Sequence, residues 1–238
     1  MSGWPHIVRR FFQRGLAWFF SDLPPVASSN DWEAAEISSN LGVFALSDAE
    51  MAERKITVIK IGDLELPTGE IIACDPLITG LGRPAFSRKV EPGRYPVMLL
   101  QAQGRIAAAV LRFGSGLPAR WELATFASDR PPVYESEFLE FIVDDAVASF
   151  MDKSVLTLMS DQEELDEYLA DVACSLDRFG IDNPIAGNPL NVAMFDTGFG
   201  DGGYRSFWGL NTAGEPLVLM TDFEVLENAD GREGDQAS

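Results

Sequence analysis

The chain has 238 residues, 46% of them hydrophobic and 11% aromatic, enough apolar material for one sizeable core and too much for a disordered protein. Its net charge of −19, from 18 basic and 37 acidic residues, repels nucleic acid and anionic membranes and attracts a cation or a basic protein partner. The single histidine, His6 in the N-terminal arm, argues against a Ser-His-Asp or Cys-His triad within the chain and against a His-rich zinc site, and two cysteines are too few for a structural zinc cluster.

Residues 6–20 place Ile7, Val8, Phe11, Phe12, Leu16 and Phe19 near one face of a helix and Arg9, Arg10 and Arg14 mostly on another. This basic island reads either as a helix that packs on its own domain or as a docking surface for a membrane or a partner. "SDLPPVASSN" (21–30) breaks both regular structures and serves as a linker. The pattern therefore divides into a basic amphipathic arm (1–24), a helical extension (25–59), a core domain (60–226) and an acidic, disordered tail (227–238). Within the extension, helix is expected over 31–55 with a break near Gly42, and Ser47 with Glu50 forms a capping-box pattern that opens a short helix.

From Lys55 onward the pattern predicts strands. "KITVIKIGDLEL" alternates, "PTGE" (67–70) turns, and "IIACDPL" is an apolar run. "EPGRYPV" (91–97) fits a type II turn with Gly93 at positive φ. "YPVMLLQA" and "RIAAAVLRF" join through Gln103-Gly104 as a hairpin, and "ARWELATFA" and "FLEFIVD" continue the series. Residues 160–180 predict a long amphipathic helix capped by Ser160 and Glu163 and stopped at Gly180. Leu165, Tyr168, Leu169, Val172, Ala173 and Leu176 form its stripe, with Glu164, Asp166, Glu167 and Asp171 opposite. The expected fold is α+β: a predominantly antiparallel sheet packed with this helix, preceded by a helical extension. Cys74 and Cys174 are expected to be free, buried thiols in a reducing compartment. With no membrane-span pattern and no signal-peptide pattern, a cytoplasmic location is the expectation. The pattern does not indicate an oligomeric state.

The stretch "NVAMFDTGFGDGGYRSFWGLN" (191–211) concentrates glycine, aspartate and aromatics. Gly198, Gly200 and Gly203 satisfy G-x-G-x-x-G, but Gly209, Asn211, Gly214 and Pro216 prevent the helix that a dinucleotide fingerprint needs. Counted from Asp196, an EF-hand loop would place Phe207 where a bidentate glutamate belongs. A hairpin remains, with Asp201-Gly202 as its turn and "NTAGE" as the next, so that 190–223 reads as a three-stranded meander. The remaining glycines, Gly200 among them, suit a bulge or an open backbone patch beneath Tyr204 and Trp208.

These residues resemble the closing motif of the family known as domain of unknown function 4241 (DUF4241), small-Gly-x-Gly-Asp-Gly-x-Tyr, then Trp-Gly, then Thr-Asp-Phe. The resemblance extends to "GEIIACDPL" (69–77), "EPGRYPVMLL" (91–100), "RIAAAVLRF" (105–113) and "RWELA" (120–124), and covers about 60–226. It implies a mainly bacterial α+β domain with no assigned activity. In one segment the chain departs from the family, whose members resemble Val-Asp-Ala-Gly-Thr-Gly before a Phe-x-Asp element. Here the sequence is "VDDAVASFMD" (143–152), without the glycines and the threonine.

Asp75, Asp144, Asp201 and Asp222 each end or follow an expected strand. Converging, they would hold Mg²⁺ or Ca²⁺ and support a cation-dependent hydrolase. Apart, each caps its own turn. Arg112, Trp121 and Trp208 either line a pocket for an anionic group or pack at a sheet rim. The charge and the scarcity of histidine favour a non-enzymatic binding module without a cofactor, an acidic antagonist of a basic protein in the manner of an antitoxin. The hydrolase and a peripheral membrane protein tethered through residues 6–20 are the alternatives.

Overall fold

The computed structural model describes residues 39–77, 84–127, 139–158, 162–175 and 177–226. Eleven strands among them build two antiparallel sheets. Seven belong to the larger sheet: β1 (Thr57–Leu66), β3 (Gly93–Ala102), β4 (Arg105–Arg112), β5 (Arg120–Leu123), β6 (Glu140–Val143), β10 (Gly202–Leu210) and β11 (Pro216–Asp222). Their order is β1-β3-β4-β11-β10-β5, with β6 pairing farther along β10. The smaller sheet has the order β2-β7-β9-β8, from β2 (Ile71–Cys74), β7 (Val147–Asp152), β8 (Phe179–Asp182) and β9 (Val192–Asp196).

Alternation explains the layering. Successive residues of a strand face opposite sides, so a strand apolar at every position is covered on both. In β2, Ile71 and Ala73 join the main core with Ala148, Phe150, Ala193 and Phe195, against residues of the larger sheet such as Leu64 and Leu99. Ile72 and Cys74 face the other way, into a second cluster with Met151, Met194, Leu165 and Leu169. The smaller sheet is thus a middle layer between the larger sheet and the helix α2 (Gln162–Ser175). Each large side chain buried here contributes roughly 1.5–3 kcal/mol.

This arrangement corrects the expected fold class. The protein is mainly β: 44% of the described residues are in strands and 19% are helical. The long amphipathic helix is absent; α2 has 14 residues, of which Leu165 and Leu169 are buried while Tyr168, Val172 and Ala173 are half-buried. The apolar spacing is real, but the chain is needed as an edge strand four residues later, and Gly180 pairs with Met194 inside β8 rather than capping the helix. Ser160 and Leu176 lie outside the described residues, as do the arm 1–24 and the tail 227–238.

Of the segment expected to be helical up to residue 55, Ser39–Ala45 forms a 3-10 helix that includes Gly42 without a break. Ser47 caps α1 (Asp48–Glu53), and the reciprocal Glu50 bond completes the capping box. Gln103 and Gly104 take φ of 53° and 74°, as a tight hairpin between β3 and β4 demands. Gly93 has no positive φ and begins β3 instead of closing a type II turn. Neither cysteine is in a disulfide, but Cys174 is exposed on α2, contrary to expectation, while Cys74 is buried.

The largest correction concerns the glycine-rich stretch. β10 and β11 do pair across "NTAGE", with Phe207 opposite Met220. β9, however, pairs with β7 and β8 and leaves β10 to β11, β5 and β6. Residues 197–201 are therefore no hairpin turn but a crossing that carries the chain from the smaller sheet to the larger one. β5 and β6 likewise flank β10 and do not extend the series after β4.

Candidate functional site

The crossing is tied down at every step. Gly198 donates its N–H to the Ile106 carbonyl, and its own carbonyl accepts from Arg105 at 3.1 Å. A Cβ at Gly198 would meet the Phe223 carbonyl oxygen at 2.5 Å, so only glycine fits there. Gly200, at φ 111°, offers its carbonyl to the Thr197 and Tyr204 hydroxyls at 2.7 and 2.6 Å. Burial chiefly raises the Tyr204 pKa, with the charges of Glu224 and Asp201 adding to it against a hydrogen bond with Thr197. Gly202 opens β10 opposite Val143, so the open backbone patch expected near it is a paired strand.

Three of the four aspartates surround the turn between β6 and β7. Asp75, buried just after β2, accepts the Leu77 N–H through Oδ1 at 2.8 Å and the Asp144 and Asp145 N–H groups through Oδ2 at 2.9 and 3.1 Å. Asp201 Oδ1 accepts the next N–H, from Ala146, at 3.1 Å. Two carboxylates from distant segments thus occupy three successive amides, the kind of main-chain concavity that elsewhere binds an anion. Asp145, which the sequence reading passed over, has its pKa raised by partial desolvation and then by the charges of Asp75, Asp144 and Asp201. Asp222 lies elsewhere: Oδ2 accepts from Asn40 at 2.8 Å and Oδ1 from the Glu224 N–H at 2.9 Å, fastening the 3-10 helix to the end of β11.

These carboxylates are acceptors for main-chain amides. Both Asp75 oxygens and Asp201 Oδ1 hold N–H groups, which a cation bound at those atoms would have to displace. Among the described residues no group of three or more His, Cys, Asp or Glu is placed to hold a metal ion. A further buried carboxylate, Asp152 of the Phe-x-Asp element, accepts the main-chain and hydroxyl donors of Thr68 and Ser154 at 2.6–3.0 Å.

The aromatic candidates separate too. Arg112 donates to the Gly116 carbonyl at 2.8 Å and braces its own loop, and Trp121 packs on Phe44 with centroids 5.1 Å apart. Trp208 is 1% exposed between Phe86 and Phe113 and lines a cavity of about 210 Å³ with Ser87, Arg88, Glu122, Leu123 and Thr125. Its indole Nε1 is the one buried side-chain nitrogen or oxygen without a hydrogen-bond partner among the described residues. A buried donor left in that state costs about 1–3 kcal/mol. No local pattern marks Ser87, Arg88, Glu122 or Thr125, which reach the cavity from separate segments.

With the geometry in place, comparison with known proteins adds one match: the family model described as "Protein of unknown function (DUF4241)" covers residues 64–221. The chain belongs to that family. No curated protein and no solved structure matches it. The family's span runs from near the end of β1 to within β11 and so takes in both sheets, the crossing and the cavity. Among the described residues no helix is long and apolar enough to cross a membrane.

Proposed function

We propose that the domain is a non-enzymatic binding module for a basic protein partner. The observation that carries this reading is the outer face of α2, where Glu163, Glu164, Asp166, Glu167 and Asp171 are all exposed on a helix that contains no lysine or arginine. Glu163 with Glu167, and Glu167 with Asp171, are like-charge pairs one turn apart, each costing a few tenths of a kcal/mol (~0.2–0.5). A cationic surface docked on the helix removes that cost and gains from it. The overall charge of −19 speeds the encounter. The aspartates around the β6–β7 turn serve as structural ties in this reading, since their oxygens hold main-chain amides.

The test compares wild type with Glu163→Gln/Glu167→Gln/Asp171→Asn in affinity capture at low and raised salt. Wild type retains a stoichiometric basic protein that elutes as salt rises toward about 0.5 M, where screening is nearly complete within a few ångströms. The triple variant melts at a higher temperature and retains none of it. Capture that is insensitive to salt or to the variant overturns the reading, as does capture of nothing.

A further inference from the structure

The cavity beside Trp208 is independent of α2 and has its own chemistry. Arg88 sits at its rim with a side chain about one-third exposed. One terminal nitrogen reaches Glu122 Oε2 at 2.7 Å, and the other lies 3.4 Å from the Gly214 carbonyl, at the limit of a hydrogen bond. A guanidinium has five N–H donors, of which these two contacts use two. Glu122 is shared with Arg120, whose Nε and Nη2 both lie 3.1 Å from Oε1. The linked trio therefore carries two cations and one anion, a positive spot in a chain with an excess of acid. Beneath it the Arg88 guanidinium lies 5.9 Å from the Trp208 ring centroid. The Ser87 and Thr125 hydroxyls, paired at 2.7 Å, line the wall.

Two observations thus point the same way. A small polar cavity has a cation with donors to spare, and the same cavity is lined by a residue whose buried N–H lacks an acceptor. Both ask for acceptor oxygens on an anion. We propose that this cavity is a binding site for a small carboxylate. The carboxylate takes one bond from the Arg88 guanidinium and one from the Trp208 indole N–H. Charge-assisted N–H···O bonds to a planar carboxylate suit guanidinium geometry. Because the indole N–H is shielded from solvent, binding requires its cover to be displaced, and the partly exposed Arg88 side chain over the Trp208 ring is part of that cover. At about 30 Å³ for each water-sized group, the cavity admits a molecule of roughly seven heavy atoms. That size fits a short carboxylic acid.

The experiment follows the indole ¹⁵N–¹H resonances of the full chain while acetate, and then propionate, is added at constant ionic strength, with sodium chloride as control. The chain has five tryptophans, and Trp208→Phe identifies the resonance in question by its loss. The expected result is a saturable downfield shift of that one resonance with both acids, absent with chloride and weakened at least tenfold in affinity in Arg88→Gln. Should Trp208→Phe fail to fold, Arg88→Gln, a rim substitution, still decides by weakening at least tenfold the affinity read from a single indole. No saturable shift with either acid, an equal shift with chloride, or a shift of full affinity in Arg88→Gln would overturn the proposal.

Discussion

Asn191 closes the free edge of β1 at Glu65: its side-chain oxygen accepts the Glu65 N–H at 2.9 Å while its amide donates to the Asp63 carbonyl, also at 2.9 Å. One carboxamide thus supplies the donor and acceptor that a neighbouring strand would offer. β1 is ten residues long and pairs with β3 on its other side, so its outer edge is a template for another chain. Asn191→Ala removes both bonds from a residue that is 7% exposed. The expected loss is about 1–3 kcal/mol in urea unfolding, with concentration-dependent association as the edge opens. Asn191→Asp keeps the acceptor for Glu65 but sets a buried carboxylate oxygen against the Asp63 carbonyl, and is expected to destabilise at least as much as Asn191→Ala.

Ala146 has φ of 56° in the turn held by Asp75 and Asp201, at the position where the family's Val-Asp-Ala-Gly pattern has its first glycine. A side chain in the left-handed region costs about 1–2 kcal/mol. Ala146→Gly relieves that cost and returns part of it, about 0.4–1 kcal/mol, through a freer unfolded chain. A net stabilisation of roughly 0.5–1 kcal/mol is expected in a denaturant midpoint. A destabilised variant would show that the methyl group packs usefully there.

Asp145 titrates in the opposite sense to a salt-bridged carboxylate. Its folded pKa is raised, so between the ordinary aspartate value near 3.9 and the raised one the native state holds more protons than the unfolded state. Stability from this group therefore falls as pH rises through that window, and the penalty is complete above the raised value. Asp145→Asn should melt above wild type at pH 7 and lose the advantage as pH drops below about 4. Because the residue is exposed, the effect is a small shift in melting temperature.

The glycines of the crossing are not equivalent. At Gly198 a Cβ would strike the Phe223 carbonyl and approach the Phe223 and Val225 side chains at 2.8 and 3.0 Å, whereas at Gly202 the nearest atoms belong to Tyr204 at 3.7 Å. Gly198→Ala should cost about 1–3 kcal/mol, by overpacking. Gly202→Ala lies in a paired strand with ordinary φ and should be close to neutral. Equal effects on melting would contradict the packing described for the crossing.

Much of the strand content was legible because pairing and burial leave local marks. "IIAC" and "VAMF" are apolar at every position, the sign of a strand covered on both faces, and Gln103-Gly104 is a pair that accepts positive φ. The α2 stripe was legible too, but its end was not: the expected helix runs to Gly180, whereas pairing with β9 takes Phe179 and Gly180 into β8. In the site, Asp75, Asp144 and Asp201 stood out as strand-end aspartates, whereas Asp145 and the Arg88–Glu122 pair carry no local signature.

By itself the sequence determined the family, the antiparallel habit of the chain, the capping box at Ser47 and the tight turn at Gln103-Gly104. These follow from backbone sterics and from periodicity within a few residues. Only the tertiary structure decided that β9 leaves β10 for β7 and β8, that Asp75 and Asp201 meet over one turn, and that Trp208 faces a cavity. A strand apolar on both faces fits between any two apolar layers, and a carboxylate accepts from whichever amides reach it. Which partners arrive is set by the packing of the whole chain.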